Sequence, residues 1–189
     1  NFLRHAKTRM NKKKVFLGIR NDPSIAKIDK KKISKIKYDF IIVSQLKRSK
    51  LTAKFFRTKK ILTNNLVNEI DYGEADGMSY TVFKKKYPHI IKSWKMKKDI
   101  KFPKGEKIND VKIRILKFFK YLNKFKTNSK ILIISHSFFL RTLFAFVFNI
   151  NLKTAYKIKI DHLKNYQFIK KGNTILPNFS RTDQEKIYR

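Results

Sequence analysis

The chain has 189 residues, enough for one domain with a single sizeable core and too few for two comfortable ones. It has no cysteine, which excludes disulfides and thiolate metal sites and suits a reducing compartment, and it has no apolar run long enough to span a bilayer. The net charge of +34 would ordinarily favour nucleic acid or an anionic surface as the partner. Lysines are spread through nearly every segment, however, so we interpret the charge as a compositional bias that steers anionic substrates, and we expect no specific nucleic-acid partner and no membrane partner.

The chain opens on a predicted strand that ends in a candidate phosphoryl-transfer pair. Phe2 and Leu3 run directly into Arg4 and His5, and open α/β sheets bind their ligands at the carboxyl ends of their strands. A guanidinium fits phosphate oxygens with two parallel hydrogen bonds, and a neutral imidazole can attack phosphorus. By itself such a pair is more often part of a solvated loop, so the hypothesis depends on the rest of the chain. Because the chain begins inside this strand and has no initiator Met, we expect a few native residues before Asn1.

Helical and strand-like segments then alternate along the chain. Thr8 is placed to cap a short helical segment. Apolar spacing predicts helices, and continuous apolar runs predict buried strands, in this order: an amphipathic helix over 24–36, a strand over 39–44, a helix over 51–56, a short strand at 61–62, a basic helix over 81–87, a helix over 108–122, a strand over 130–135 and a helix over 137–148. A hairpin is predicted over 165–176, and a loose polar tail over 180–189. This alternation indicates a single α/β domain over 1–189, a three-layer α/β/α sandwich around a mostly parallel sheet.

Rare residue types mark further candidate positions. The strand over 130–135 delivers His136 to the same sheet edge as His5, and Arg48 follows the strand over 39–44. Arg48 alone would more often be an exposed residue in the first turn of a helix. Four of the 13 acidic residues fall within a short stretch, which is hard to attribute to surface decoration: Glu69, Asp71, Glu74 and Asp76.

In these positions the chain resembles the histidine phosphatase superfamily, in the branch that includes the cofactor-dependent phosphoglycerate mutases. Arg4, His5 and Thr8 match its Arg-His-Gly-x-Thr signature. Further blocks follow in order within about residues 1–150, over 18–23, 44–53, 66–77, 103–114 and 135–141. The chain departs from the family pattern at several positions, among them Gln45 for Pro, Ala75 for Trp, Asp76 for Glu and Ser137 for Gly. The resemblance implies the phosphoglycerate mutase-like fold, with the site at the carboxyl edge of the sheet.

The resemblance also implies a role for each residue of a catalytic set. His5 would be the nucleophile that forms a phosphohistidine, and Glu69 the general acid and base. Three residues would surround the transferring phosphoryl group: Arg4, Arg48 and His136. Five others are candidate substrate contacts: Thr8, Asn11, Gly18, Tyr72 and Ser137. The chemistry requires a raised pKa at Glu69, which neighbouring acids or phosphate could supply and the arginines would oppose; the sequence leaves this balance open. No metal and no other cofactor is expected.

Three functions are compatible with these residues. The first is a metal-independent phosphomonoester hydrolase acting on a small phosphorylated metabolite, because the stretch between Glu69 and His136 is short, as in phosphatase members of the family. The second is a 2,3-bisphosphoglycerate-dependent phosphoglycerate mutase, which would use the same catalytic residues. The third is a non-catalytic basic module that binds RNA or another anion. A cytoplasmic location is expected because no secretory signal is present. The sequence predicts neither the particular substrate nor the oligomeric state.

Overall fold

Five strands form the central sheet of the computed structural model, which describes residues 1–29, 31, 33, 35–96, 98–172 and 174–178. The strands lie in the order β3-β2-β4-β1-β5, with bounds β1 Phe2–Arg4, β2 Lys37–Val43, β3 Arg57–Thr63, β4 Ile131–Ser135 and β5 Asn165–Tyr166. The first four strands are parallel to one another, and β5 pairs antiparallel with β1. The predicted mostly parallel sheet is therefore confirmed, and the residues that follow β1, β2 and β4 meet at one edge.

Helices connect the strands and cover both faces of the sheet. The α-helices are α1 Lys47–Ala53, α2 Tyr80–Lys86, α3 Pro88–Lys95, α4 Ile108–Tyr121, α5 Ser137–Val147 and α6 Leu152–Ala155. Short 3₁₀ turns lie at Arg9–Lys13, Asn65–Val67, Gly73–Ala75 and Leu122–Lys124. A separate antiparallel hairpin, as predicted, is formed by β6 Phe168–Lys171 and β7 Thr174–Pro177. No helix in the described part of the chain is both long and apolar enough to cross a bilayer.

The side chains of the sheet alternate between two cores. Phe2, Ile42 and Ile133 pack on one face against α4 and α5, in the larger core. Leu3 and Ile134 point to the other face and pack near α1, in the smaller core. Because a strand buried on both faces needs apolar residues at every position, the continuous apolar runs correctly predicted these strands. The three-layer sandwich is confirmed.

The predicted amphipathic helix over 24–36 is wrong. The described residues of this segment form no α-helix, and the backbone is instead tied to the chain after β1: the Ala26 N–H donates to the Lys7 carbonyl at 2.7 Å, and Ile25 bridges to Thr8. Ile36, at the end of the predicted helix, is 40% exposed. The isoleucines recur at helical spacing, but no helix forms because the backbone of this segment pairs with the residues after β1. The predicted tail over 180–189 lies outside the described residues.

Candidate active site

The carboxyl edge of the sheet brings two histidines together. Arg4 pairs with Ser135 in the register of β1 and β4, and the His5 N–H donates to the Ser135 carbonyl at 3.0 Å. The next residue on each strand is therefore a histidine, and the ring centroids of His5 and His136 lie 5.0 Å apart. Both side chains are buried. The parallel register thus places the two imidazoles side by side.

The His5 ring is held in one tautomer. Its Nδ1 lies 2.7 Å from the Ala6 carbonyl oxygen. Because a carbonyl can only accept, Nδ1 carries the proton and Nε2 keeps its lone pair. Burial lowers the pKa of His5 well below its usual range, and the positive charges of Arg48 and Arg4 lower it further. The ring is therefore neutral at neutral pH, with Nε2 available as a nucleophile.

Three residues around His5 each leave one buried nitrogen without a hydrogen-bond partner. These atoms are Arg4 Nε, Arg48 Nε and His136 Nδ1. The neighbouring nitrogens are bonded: Arg4 Nη1 donates to the Ile160 carbonyl at 2.8 Å, and His136 Nε2 lies 2.7 Å from Ser44 Oγ. Buried polar atoms without a partner are uncommon in folded proteins and costly. Their concentration at one edge indicates a site for an anion.

The protonation of His136 follows from its contact with Ser44. The Ser44 hydroxyl oxygen accepts from the Leu46 N–H at 3.2 Å, and its own hydrogen can be donated to His136 Nε2. Nδ1 is then the protonated nitrogen and a donor. Burial, together with the charge of Arg48, lowers the pKa of His136 well below its usual range. His136 therefore offers a hydrogen bond without carrying a charge.

Arg48 is fully buried and holds the loop over 17–22. Its Nη2 donates to the Gly18 carbonyl at 2.7 Å, and its Nη1 donates to the Asn21 carbonyl at 3.1 Å and to Asp22 at 3.2 Å. Burial lowers the pKa of Arg48, against the opposing charges of nearby acids. Most of the guanidinium is thus used to fix the loop, and its buried Nε is left without a partner.

Gly18 lies where two elements approach closely. A Cβ on Gly18 would lie 2.8 Å from Asp76 Oδ2 and 2.8 Å from the Ile70 carbonyl oxygen. The Asp76 carboxylate accepts from the N–H groups of Gly18, Arg20 and Asn21. The absence of a side chain at Gly18 lets this loop lie against the segment that carries Glu69.

Glu69 is seated at the start of α5. Its carboxylate accepts the N–H of Phe138 at 3.1 Å, the N–H of Phe139 at 3.2 Å and the N–H of Ile70 at 3.2 Å. Burial raises the pKa of Glu69, while the backbone N–H groups and Arg48 oppose that rise. The balance that the sequence left open is therefore set by burial, and not by the neighbouring acids.

The other members of the acidic cluster are paired with cations or backbone. Asp71 forms an ion pair with Arg20 at 3.0 Å, and Glu74 forms one with Lys104 at 2.8 Å. Asp76 is the carboxylate that holds the loop over 17–22. The cluster thus separates into one buried acid at the start of α5 and three acids that bind loops together.

The remaining predicted contacts lie around this centre. Thr8 is buried, and its hydroxyl donates to Asn11 Oδ1 at 2.9 Å in a capping box. Tyr72 is buried with its ring 4.9 Å from that of Phe102, and burial raises its pKa well above the usual range. Ser137 is the first residue of α5, and its hydroxyl accepts from Arg141. Thr8 and Asn11 therefore form hydrogen bonds with each other. Tyr72 and Ser137 lie near Glu69 in the chain and in the fold: Tyr72 is three residues after it, and Ser137 precedes Phe138, whose N–H binds its carboxylate.

One histidine beside the centre was missed in the sequence. His162 Nδ1 lies 2.7 Å from the His5 carbonyl oxygen and donates to it, and the two rings are 5.4 Å apart. Burial lowers the pKa of His162 to about 4. His162 matches no motif, so only the scarcity of histidine, with four in the chain, could have drawn attention to it.

The fold, together with two histidines and two arginines at this edge, defines a class of protein. Comparison of the chain with known protein families identifies that class. The model of the histidine phosphatase superfamily, branch 1, matches residues 1–173. The chain belongs to the histidine phosphatase superfamily, and the resemblance seen in the sequence is confirmed.

Two curated relatives and one solved structure illustrate the similarity. The chain is 33% identical over 108 residues to fructose-2,6-bisphosphatase from Saccharomyces cerevisiae, covering 57% of this chain and 23% of the yeast protein. It is 25% identical over 171 residues to phosphoserine phosphatase 1 from Hydrogenobacter thermophilus, covering 85% of this chain and 81% of that protein. The structure of alpha-ribazole phosphatase from Shigella flexneri has a TM-score of 0.77 at 16% identity, with 94% of this chain and 93% of that chain covered. The chain therefore spans less than a quarter of the yeast relative and most of the bacterial one.

Proposed function

We propose that the protein is a metal-independent phosphomonoester hydrolase that acts through a phosphohistidine on a small phosphorylated metabolite. The observation that carries this proposal is the set of three buried nitrogens without partners, on Arg4, Arg48 and His136, beside a neutral His5 whose Nε2 is free. We expect a phosphoryl group bound beside His5 to accept hydrogen bonds from these three nitrogens. The hydrolases named among the relatives support the same reaction class.

The first step transfers the phosphoryl group to His5. Nε2 attacks phosphorus, the phosphorus–oxygen bond to the leaving group breaks, and the leaving oxygen takes the proton of Glu69. Positive charge develops on the His5 ring, and the Ala6 carbonyl that accepts from Nδ1 stabilises it. The three free nitrogens face the charge on the equatorial oxygens, where each preorganised donor is typically worth a few kcal/mol in the transition state.

The second step regenerates the protein. Water gives a proton to the Glu69 carboxylate and attacks phosphorus, and the bond between Nε2 and phosphorus breaks. Inorganic phosphate leaves, His5 is neutral again and Glu69 is protonated again. The burial that raises the pKa of Glu69 supports both roles, because it brings the two protonation states closer in energy near the working pH.

The test compares hydrolysis of p-nitrophenyl phosphate in EDTA by the parent chain, by His5→Ala and by His89→Ala. His89 lies on the exposed side of α3 and serves as the matched control. We expect His5→Ala to lose on the order of 10⁴-fold or more in kcat, as for removal of other nucleophiles, and His89→Ala to match the parent. Radioactive phosphate from the substrate should be trapped on the parent in an acid-labile, base-stable form.

Two other results would overturn the proposal. Isomerisation of 3-phosphoglycerate in the presence of 2,3-bisphosphoglycerate, faster than phosphate release, would establish a mutase. Absence of both activities in a folded parent, together with RNA binding, would establish a binding module; a steep loss of that binding with salt and no sequence preference would assign it to charge alone.

A further inference from the structure

The segment that carries Glu69 has little regular structure of its own. After the 3₁₀ turn at Asn65–Val67, the backbone over 68–72 forms neither helix nor strand. A catalytic carboxyl group on such a segment needs support from elsewhere, because small displacements of a reacting group are costly. Two side chains approach this segment: Glu106, from the loop before α4, and Arg114, from the middle of α4.

Glu106 and Arg114 form a bidentate ion pair. Arg114 Nε donates to Glu106 Oε1 at 2.8 Å, and Arg114 Nη2 donates to Glu106 Oε2 at 3.1 Å. Both side chains are largely covered, with 16% of Arg114 and 25% of Glu106 exposed. Two parallel bonds fix the plane of the guanidinium, which a single contact would leave free to rotate.

The pair binds the backbone on both sides of Glu69. Arg114 Nη1 donates to the Leu66 carbonyl at 2.9 Å and to the Asn68 carbonyl at 3.2 Å, and Nη2 donates to the Glu69 carbonyl at 3.4 Å. Glu106 Oε2 accepts from the Asp71 N–H at 2.9 Å. One ion pair therefore contacts the chain before, at and after Glu69.

Backbone packing also holds the loop that contains Gly73 against the loop that carries Glu106. Gly73 has a φ of +56°, and a Cβ there would lie 2.0 Å from the Pro103 carbonyl oxygen and 2.6 Å from the Gly105 nitrogen. The Glu106 N–H also donates to the Asp71 carbonyl at 2.9 Å. The two loops thus lie in direct backbone contact, with no space for them to slide past each other.

We infer that Glu106 and Arg114 are positioning residues for Glu69, holding its carboxyl group where it can protonate the leaving oxygen. This inference rests on the proposed function, since it assigns a role within that reaction. In the described part of the chain neither side chain forms a hydrogen bond with the histidines or with the unpartnered nitrogens. The charge of Arg114 does lower the pKa of His136, so a substitution that keeps this charge is needed to isolate the effect on proton transfer.

The test measures kcat/KM for phosphomonoesters whose leaving groups differ in basicity. Proton donation matters greatly for an alkoxide leaving group and little for p-nitrophenolate. Arg114→Lys keeps the charge but loses the fork. We expect it to lower kcat/KM about tenfold for glycerol phosphate and less than about threefold for p-nitrophenyl phosphate. Glu106→Gln should shift both values in the same direction by less. Lys117→Ala, on the exposed side of α4, is the control and should change neither.

A double-mutant cycle with Glu69→Gln separates positioning from a general structural role. In the Glu69→Gln background, Arg114→Lys should lower kcat/KM for glycerol phosphate by less than a further factor of about two, because Arg114 acts through Glu69. Equal losses for the two substrates, or losses that multiply in the double variant, would overturn the inference; if Arg114→Lys does not fold, Glu106→Gln gives the same comparison. A parent that hydrolyses neither substrate would instead refute the proposed function, so the two failures are distinguishable.

Discussion

The two ends of the proposed site, one for phosphate and one for proton transfer, are built in opposite ways. At the phosphate end, Arg4, Arg48 and His136 each keep a buried nitrogen without a partner. At the acid end, Glu69 accepts three backbone N–H groups and its loop is bonded to Glu106 and Arg114. A ligand completes the first end, whereas the fold completes the second. Unpartnered donors are thus available where the phosphoryl group would bind, and the loop is held rigidly where Glu69 would deliver its proton.

The largest expected effect within this comparison comes from the acid end. Glu69→Gln keeps the size of the side chain but removes the transferable proton, so kcat/KM for glycerol phosphate should fall by about 10²- to 10⁴-fold. The fall for p-nitrophenyl phosphate should be at least about tenfold smaller, because that leaving group needs little protonation. The measurement is steady-state kinetics on both substrates. Glu74→Gln, which removes a carboxylate paired with Lys104, is the control. Equal losses on both substrates would contradict a role as acid.

Next in size is a pair of substitutions at the phosphate end. An Asn amide reaches about as far as Nδ1 of histidine, and a Gln amide about as far as Nε2. His136→Gln should keep the contact with Ser44 but lose the nitrogen that faces the anion, lowering kcat by about 10²-fold. His136→Asn should retain most of the activity. Kinetics with p-nitrophenyl phosphate and the inhibition constant of inorganic phosphate measure both variants. The reverse order would show that the bond to Ser44, and not the free Nδ1, is what matters.

A smaller effect is expected from pH. The active form needs neutral His5 and protonated Glu69; burial lowers the pKa of His5 below its ordinary 6.5 and raises that of Glu69 above its ordinary 4.5. Activity should therefore fall as pH rises through the raised pKa of Glu69, and as pH falls through the lowered pKa of His5. We expect a kcat/KM maximum on the acid side of neutrality, with a loss approaching about tenfold per pH unit on the alkaline side.

The control for the pH profile is Glu69→Gln, measured with the same substrate. Since the substrate's own ionisation is common to both proteins, the difference between the two profiles reports Glu69. The alkaline fall should be absent in the variant. A parent profile that is flat from pH 5 to pH 9, or that rises with pH, would contradict the assignment.

Much of the fold was predictable because its strands are buried on both faces. Ile41, Ile42, Ile133 and Ile134 are nearly inaccessible, so burial requires apolar residues without interruption and the sequence pattern is unambiguous. The segment over 24–36 shows the opposite case. Its isoleucines recur at helical spacing, yet its backbone bonds to Lys7, a choice that depends on where β1 ends in space.

Departures from the family pattern were harder to interpret from the sequence. Gln45 occupies a position where Pro is usual in the family. In the structure, the Gln45 N–H donates to Asn68 Oδ1 at 2.9 Å, and Asn68 Nδ2 donates to Gln45 Oε1 at 3.1 Å. A proline could not supply that N–H. The substitution therefore joins the loop before Arg48 to the residue before Glu69.

The sequence by itself determined the buried strands, most of the helices, the family and the residue types gathered at one edge, because apolar periodicity and short motifs are local properties of the chain. Only the tertiary structure decided which of four clustered acids is buried, which nitrogens remain unpartnered, that His162 lies against His5 and that Arg114 supports the loop of Glu69. Those outcomes depend on desolvation and on contacts between residues far apart in the chain, and no local pattern encodes either of them.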